Sequence, residues 1–181
     1  MPEPVMDPKV DHAFLDNLIT QYRHKPGALL AILESAQDHH PRKYLTKETL
    51  EYIGKEIGVS RSQIYNVVTF YSFFNLTPQG DHSITICRGT ACHARGSKKI
   101  LDFVKNMLQL QETNSGYADK LCLTTPDNRF TVRTVACFGQ CALAPVVSVD
   151  ERIYGYMTCR KMREIIEKLD REPVEPVPLF I

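Results

Sequence analysis

Four of the six cysteines in this 181-residue chain form two close pairs in the sequence. The first pair is Cys87 and Cys92, and the second is Cys137 and Cys141, with 44 residues between the pairs. Each pair follows the end of a predicted strand and opens a loop that contains a glycine. Because two such loops at the same edge of a sheet can bring four thiolates together, we interpret these cysteines as ligands of a metal centre.

The chemistry of four thiolates favours an iron–sulfur cluster. A [2Fe–2S] core is held by four cysteine thiolates, two at each iron. The glycine in each loop has no side chain that would keep backbone N–H groups away from the cluster sulfurs. The predicted site therefore has four ligands and two backbone positions around the cluster: Cys87, Cys92, Cys137 and Cys141, with Gly89 and Gly139.

Three other interpretations of the paired cysteines stay open at this point. A structural zinc site also uses four thiolates, although zinc knuckles usually have only two residues between paired cysteines. A c-type haem is attached through cysteines that precede a histidine, and Cys92-His93 partly matches that pattern. The third interpretation is plain burial of small apolar thiols. Cys122 and Cys159 each stand alone, and we predict that these two are buried thiols.

The composition is that of a globular protein with little affinity for polyanions. Hydrophobic residues make up 43% and charged residues 24% of the chain, and the net charge is +1. This charge supplies little attraction to nucleic acid or to an anionic membrane. No apolar run approaches the roughly 18 residues of a membrane span, and the N-terminus lacks the pattern of a secretory signal. We expect a cytoplasmic protein, either free or peripheral to a membrane complex, in which disulfides are disfavoured.

The first part of the chain, residues 1–80, is predicted to be an all-helical domain. Apolar residues recur there at helical spacing, and a Pro-Gly pair divides the first stretch into two helices. Thr46 caps the third helix and Gly58 ends it. Ser60 caps the fourth helix, which is predicted to run to about Phe74.

The second part, residues 81–172, alternates short strands with helices and ends in a Pro-rich tail at 173–181. The fold class expected is therefore α+β, an all-helical domain followed by an α/β domain. Period-two and helical patterns predict strands at 82–86, 121–125, 129–136, 145–149 and 152–157, and helices at 97–110 and 158–170.

Motifs in both parts of the chain are similar to those of one family. They are Ile86-Cys-Arg-Gly-Thr-Ala-Cys-His93, Thr124-Thr-Pro-Asp127, Val135-Ala-Cys-Phe-Gly-Gln-Cys-Ala-Leu-Ala-Pro-Val-Val147 and, in the helical part, Gly58-Val-Ser-Arg-Ser-Gln-Ile-Tyr65. They resemble the thioredoxin-like [2Fe–2S] ferredoxin subunit of the NADH-oxidising module of respiratory complex I. Relatives of that subunit occur in NAD-linked and electron-bifurcating hydrogenases and in formate dehydrogenases.

The resemblance implies a thioredoxin-like α/β domain with the cluster ligands at Cys87, Cys92, Cys137 and Cys141. It implies a hetero-oligomer in which this chain exchanges single electrons with a flavin, FMN, on an iron–sulfur partner subunit that also binds NAD(P). The chain itself is expected to be non-catalytic alone, and it has no G-x-G dinucleotide fingerprint. A cis-proline is expected at Pro145, and an insert is expected at Gln109–Lys120.

A second class of function is a redox-sensing DNA-binding regulator. The segment around the Gly58-Val-Ser60 turn also matches a helix-turn-helix, the motif that places a recognition helix in the major groove. The second helix, however, continues into apolar residues that suit burial. A thiol enzyme is disfavoured because the chain has no C-x-x-C pair. A group of aromatic residues at the end of this helix is predicted to be core or subunit interface: Tyr65, Phe70, Tyr71, Phe73 and Phe74.

Overall fold

The computed structural model describes residues 10–110 and 122–171. The N-terminal lead at 1–9, most of the predicted insert and the Pro-rich tail lie outside these residues. The chain divides into two compact units, one ending at Gln79 and the other beginning at Gly80. Within the two described ranges, no helix is long and apolar enough to cross a bilayer.

The N-terminal unit consists of four helices whose apolar faces form one core. The helices are α1 (His12–Tyr22), α2 (Ala28–His39), α3 (Lys47–Ile57) and α4 (Arg61–Phe70). The side chains at the centre of this core are fully buried: Ile32, Leu33, Leu50, Ile53, Ile64 and Val68. The prediction of an all-helical first part is thereby confirmed.

Predicted capping residues define the ends of α3 and α4. The Thr46 hydroxyl accepts a hydrogen bond from the Thr49 N–H at 3.1 Å, and α3 ends at Gly58 with a left-handed φ of 72°. Ser60 accepts from the Gln63 N–H, and the Gln63 side chain accepts in return from the Ser60 N–H at 3.2 Å. This reciprocal capping box satisfies two N–H groups that the helix itself leaves unpaired.

Helix α4 ends at Phe70, so the prediction that it continues to about Phe74 is wrong. The cause is a buried side chain on α2. The Gln37 amide donates to the Phe73 carbonyl at 3.2 Å, and its oxygen accepts from the Asn75 N–H at 2.7 Å. Because Gln37 is only 3% exposed, these bonds satisfy an amide that is costly to bury unpaired, and they fix the turn that replaces the helix after Phe70.

The C-terminal unit is a five-stranded mixed sheet with helices. Its strands are β1 (His82–Cys87), β2 (Cys122–Thr124), β3 (Phe130–Val135), β4 (Val147–Val149) and β5 (Arg152–Tyr154). Their order in the sheet is β2-β3-β1-β4-β5, and only β1 and β3 run parallel to each other. The helices are α5 (Thr90–Ala94), α6 (Ser97–Met107) and α7 (Cys159–Arg171).

Helices α6 and α7 pack together against the central strands. Ile84 and Ile86 of β1 lie in one buried cluster with Val104 of α6 and Met162 of α7. The α/β character predicted for the second part is thus confirmed. Sequence patterns missed α5 and a 3₁₀ turn at Cys141–Leu143, because elements of five and three residues are too short to show a helical period.

Candidate metal centre

The two cysteine pairs meet at one edge of the sheet, as the strand pattern predicts. Cys87 is the last residue of β1 and pairs with Val135, the last residue of the parallel strand β3. Cys137 follows β3 by two residues, so both cysteine loops leave the sheet at the same edge. Cys92 lies on the short helix α5, and Cys141 begins the 3₁₀ turn.

The four thiols at this edge interact with one another. The Sγ atoms of Cys137 and Cys141 are 4.0 Å apart. The thiols of Cys92 and Cys137 lower the pKa of Cys87, and the charge of Cys87 raises the pKa of Cys141. No disulfide joins any of the six cysteines, all of which lie in the described part of the chain.

The four thiols are arranged as two pairs, and they do not surround a single metal position. Within residues 10–110 and 122–171, no group of three or more His, Cys, Asp or Glu is arranged to hold one metal ion. A [2Fe–2S] core needs only two thiolates at each of its irons. Two neighbouring pairs, one from each loop, therefore fit the donor set that such a core requires.

The two pairs differ in their exposure to solvent. Cys87 and Cys92 are each only 2% exposed, whereas Cys137 and Cys141 are exposed. The buried pair belongs to a small apolar cluster with these residues: Ala91, Val135, Phe138, Leu143, Ala144 and Val146. A group bound here would have one side within the protein and the other side at the surface.

Backbone N–H groups point at the sulfur atoms. The Gly139 N–H donates to the Cys137 Sγ at 3.2 Å. The backbone N–H groups of Gly89 and Phe138 lower the pKa of the Cys87 thiol, and that of Val146 acts to lower the pKa of the Cys92 thiol. Such donors stabilise negative charge on sulfur, which is what an electron-rich cluster requires of its surroundings.

The pKa values of the thiols reflect these contacts. Burial raises the pKa of Cys87, but the N–H groups of Gly89 and Phe138, together with the thiols of Cys92 and Cys137, hold the pKa below its ordinary value. Burial raises the pKa of Cys92, and the hydrogen bond with Cys137 raises that of Cys141. Neighbouring thiolates repel one another, and a cationic centre such as iron would offset that repulsion.

The two glycines of the predicted site are favoured at their positions for different structural reasons. A Cβ atom at Gly89 would lie 2.9 Å from the Ala136 carbonyl oxygen and 3.4 Å from the Cys137 Sγ. Gly89 therefore permits a close approach of the two cysteine loops. Gly139 has open space around its Cα but a φ of +78°, a conformation that side chains with a Cβ rarely adopt.

Cys122 and Cys159 are not fully buried, so that part of the prediction is wrong; both are half-buried. Cys122 lies on β2, which is an edge strand, so one side of its backbone is not covered by a neighbouring strand. Cys159 is the first residue of α7, and its thiol lies 3.9 Å from the Lys99 carbonyl oxygen. Neither residue is among the thiols that contact the two pairs.

One residue of the site had no signal in the sequence. The Val146 carbonyl oxygen accepts the Cys87 N–H at 3.1 Å, and the Val146 N–H acts to lower the pKa of the Cys92 thiol. It precedes β4 and follows a cis Ala144–Pro145 peptide bond, which confirms the expectation at Pro145. Val146 acts through backbone atoms that every residue type carries, so its identity gives no indication of this role.

An α/β unit that gathers four thiols and several N–H donors at one sheet edge has the features of an iron–sulfur domain. A sequence model of the thioredoxin-like [2Fe-2S] ferredoxin family matches residues 15–170. The chain therefore belongs to the thioredoxin-like [2Fe-2S] ferredoxin family. The predicted fold class, helices followed by a thioredoxin-like unit, is confirmed.

The chain is similar over most of its length to components of two kinds of oxidoreductase. It is 32% identical over 166 residues to the NADP-reducing hydrogenase subunit HndA of Solidesulfovibrio fructosivorans, covering 92% of this chain and 91% of the relative. It is 33% identical over 148 residues to an NADH-quinone oxidoreductase subunit of Rickettsia conorii, covering 82% of this chain and 83% of the relative.

A solved structure shares the fold. The air-oxidised NAD+-reducing [NiFe]-hydrogenase superposes with a TM-score of 0.63 at 23% identity over 85% of this chain. The present chain spans only 25% of that hydrogenase chain.

Proposed function

We propose that this chain is the [2Fe–2S] electron-transfer subunit of an NAD(P)H-dependent oxidoreductase. The observation that carries the proposal is the meeting of Cys87, Cys92, Cys137 and Cys141 at the edge where the parallel strands β1 and β3 end. A bound [2Fe–2S] cluster accepts and releases one electron at a time. The protein's own part is to hold it through four thiolates and to stabilise charge on sulfur through backbone N–H groups.

The exposed pair favours electron exchange with another protein. Cys137 and Cys141 lie at the surface, so a partner can approach this side of the site without displacing the buried pair. NAD(P)H delivers a hydride, which is two electrons, and a flavin converts hydride transfer into single-electron steps. We therefore place FMN and the NAD(P) site on an iron–sulfur partner subunit, in line with relatives that are subunits of a hydrogenase and of an NADH-quinone oxidoreductase.

The first experiment is anaerobic purification of the full chain, followed by dithionite reduction and EPR spectroscopy. We expect a rhombic S = 1/2 signal, with about two irons and two sulfides per chain measured on the same sample. Zinc bound without sulfide would contradict the proposal and favour the structural-metal alternative.

The end of α4 and the segment that follows it carry a patch suited to a partner subunit. Three of its aromatic side chains are exposed, Phe70 by 77%, Tyr71 by 43% and Phe73 by 50%, whereas Phe74 is buried. No charged residue occurs between 62 and 80. Interface centres are depleted in charged residues and enriched in aromatic ones, and we propose that this aromatic patch packs on an apolar face of the flavin-carrying subunit.

Replacing Phe70 with Asp is expected to weaken that association at least about tenfold, because an exposed aromatic anchor becomes a charge that must be desolvated. The chain's own core is unaffected, since Phe70 is exposed. The measurement is the Kd between this chain and its co-expressed flavin-carrying subunit, followed by FMN absorbance. Phe70→Leu keeps an apolar side chain and should lie within a few-fold of the wild-type Kd. Equal binding of Phe70→Asp and wild type would exclude the aromatic patch from the interface.

A further inference from the structure

We propose that Arg95 is a positioning residue for the buried cysteine pair, an inference that rests on the proposed [2Fe–2S] function. Its guanidinium Nη1 donates a hydrogen bond to the Ala144 carbonyl oxygen at 3.2 Å. Arg95 directly follows α5, the helix that carries Cys92, whereas Ala144 follows the 3₁₀ turn that begins at Cys141. One side chain therefore ties the first cysteine loop to the second.

The segment that Arg95 holds contacts both buried ligands. Ala144 and Val146 are each 1% exposed. The Val146 carbonyl oxygen accepts the Cys87 N–H, and Val146 lies in one buried cluster with Cys92. A shift of this segment would change the hydrogen bond of Cys87 and the packing around Cys92 together.

Four successive carbonyl groups of this segment accept hydrogen bonds, three of them from the backbone. Leu143 accepts from the Tyr156 N–H at 2.7 Å, Pro145 from the Met157 N–H at 3.0 Å, and Val146 from the Cys87 N–H. The Ala144 carbonyl oxygen accepts from the Arg95 side chain. A buried carbonyl group is costly to leave without a hydrogen bond. Of these four carbonyl groups, that of Ala144 is the one whose donor is a side chain, and Arg95 supplies it.

Arg88 provides a matched control. It lies in the same cysteine loop, directly after Cys87, and it carries the same charge on an exposed side chain. None of the described residues forms a hydrogen bond or ion pair with the Arg88 side chain. Loss of positive charge near the cluster is therefore common to Arg88→Leu and Arg95→Leu, while loss of the bond to Ala144 is specific to Arg95→Leu.

The experiment compares the wild-type full chain with Arg95→Leu, Arg95→Lys and Arg88→Leu. In the cluster-free chain, the hydrogen exchange rate of the Val146 amide is measured by NMR. In the cluster-loaded chain, the rate of cluster loss to an iron chelator is measured by the decay of visible absorbance. We expect both rates to rise about tenfold in Arg95→Leu, to change less than about twofold in Arg88→Leu, and to be partly restored in Arg95→Lys, which keeps a donor.

Each other outcome overturns a stated part of the proposal. Equal changes of both rates in Arg88→Leu and Arg95→Leu would show that loss of positive charge alone causes the effect. Unchanged rates in Arg95→Leu would exclude a positioning role. A wild-type chain that takes up no iron and sulfide would overturn the proposed function instead. The Val146 exchange rate in the cluster-free chain would still report whether Arg95 holds the segment.

Discussion

Replacing Cys137 with Ala is expected to reduce bound iron and sulfide from about two each per chain to near zero. Cys137 lies between the two loops, because its Sγ is 4.0 Å from that of Cys141 and a Cβ atom at Gly89 would lie 3.4 Å from it. Its side chain is exposed, so the alanine leaves no buried cavity. Loss of the cluster would then reflect loss of a ligand and not loss of the fold, which circular dichroism of the same sample checks.

Cys159→Ala and Cys122→Ala are the matched controls for this result. Both remove a half-buried thiol away from the two pairs, and both should retain iron, sulfide and the reduced EPR signal. The same assay applied to Cys87→Ala, Cys92→Ala and Cys141→Ala should give near-complete loss in each case. Full retention of the cluster in any of these three would show that the ligand set differs from the one proposed.

Gly89→Ala is expected to lower cluster content several-fold, although it adds only one methyl group. The new Cβ would lie 2.9 Å from the Ala136 carbonyl oxygen, closer than a carbon and an oxygen approach without a bond. The obstructing atom belongs to backbone, so relief requires the two cysteine loops to move apart. Because Cys87 and Cys137 flank this contact, the movement separates ligands of the two pairs.

Gly139→Asn provides the comparison for that substitution. Gly139 has a positive φ but open space around it, and Asn tolerates the left-handed conformation better than other residues with a Cβ. We expect Gly139→Asn to retain most of its cluster, with iron and sulfide determined as for Gly89→Ala. If both variants lose the cluster equally, backbone flexibility in the loops and not the contact at Ala136 limits assembly.

Local rules were sufficient to predict much of the fold from the sequence. Thr46, Gly58 and Ser60 carry end signals that act within one helical turn, and the structure uses all three. The cysteine loops were predicted to share a sheet edge, and the parallel register of Cys87 with Val135 provides that edge. These features depend on the chain near each residue and therefore appear in a single sequence.

The features that sequence analysis missed depend on contacts between distant residues or on backbone atoms. The end of α4 is set by Gln37, which lies more than thirty residues earlier and bonds Phe73 and Asn75. The contribution of Val146 comes from its N–H and carbonyl groups, which carry no side-chain signal. Neither could be predicted without knowing which segments meet.

The helix-turn-helix alternative is not supported by the chemistry of the described helices. Helices α3 and α4 are joined by a short turn, but Ile64 and Val68 of α4 are buried in the core. The one basic residue of α4, Arg61, pairs with Glu51 of α3. Recognition of DNA requires basic side chains that reach phosphates, and the exposed end of α4 presents Phe70 instead.

The parallel pairing of β1 and β3 makes the geometry of the ligand pairs independent of the length of chain between them. Cys87 and Cys137 are brought together by strand register, while the 44 residues between Cys92 and Cys137 contain α6, β2, β3 and the connections between them. An insertion such as the one predicted at Gln109–Lys120 lengthens a connection without changing that register. Residues can therefore be added to or removed from this connection without moving the edge at which Cys87 and Cys137 meet.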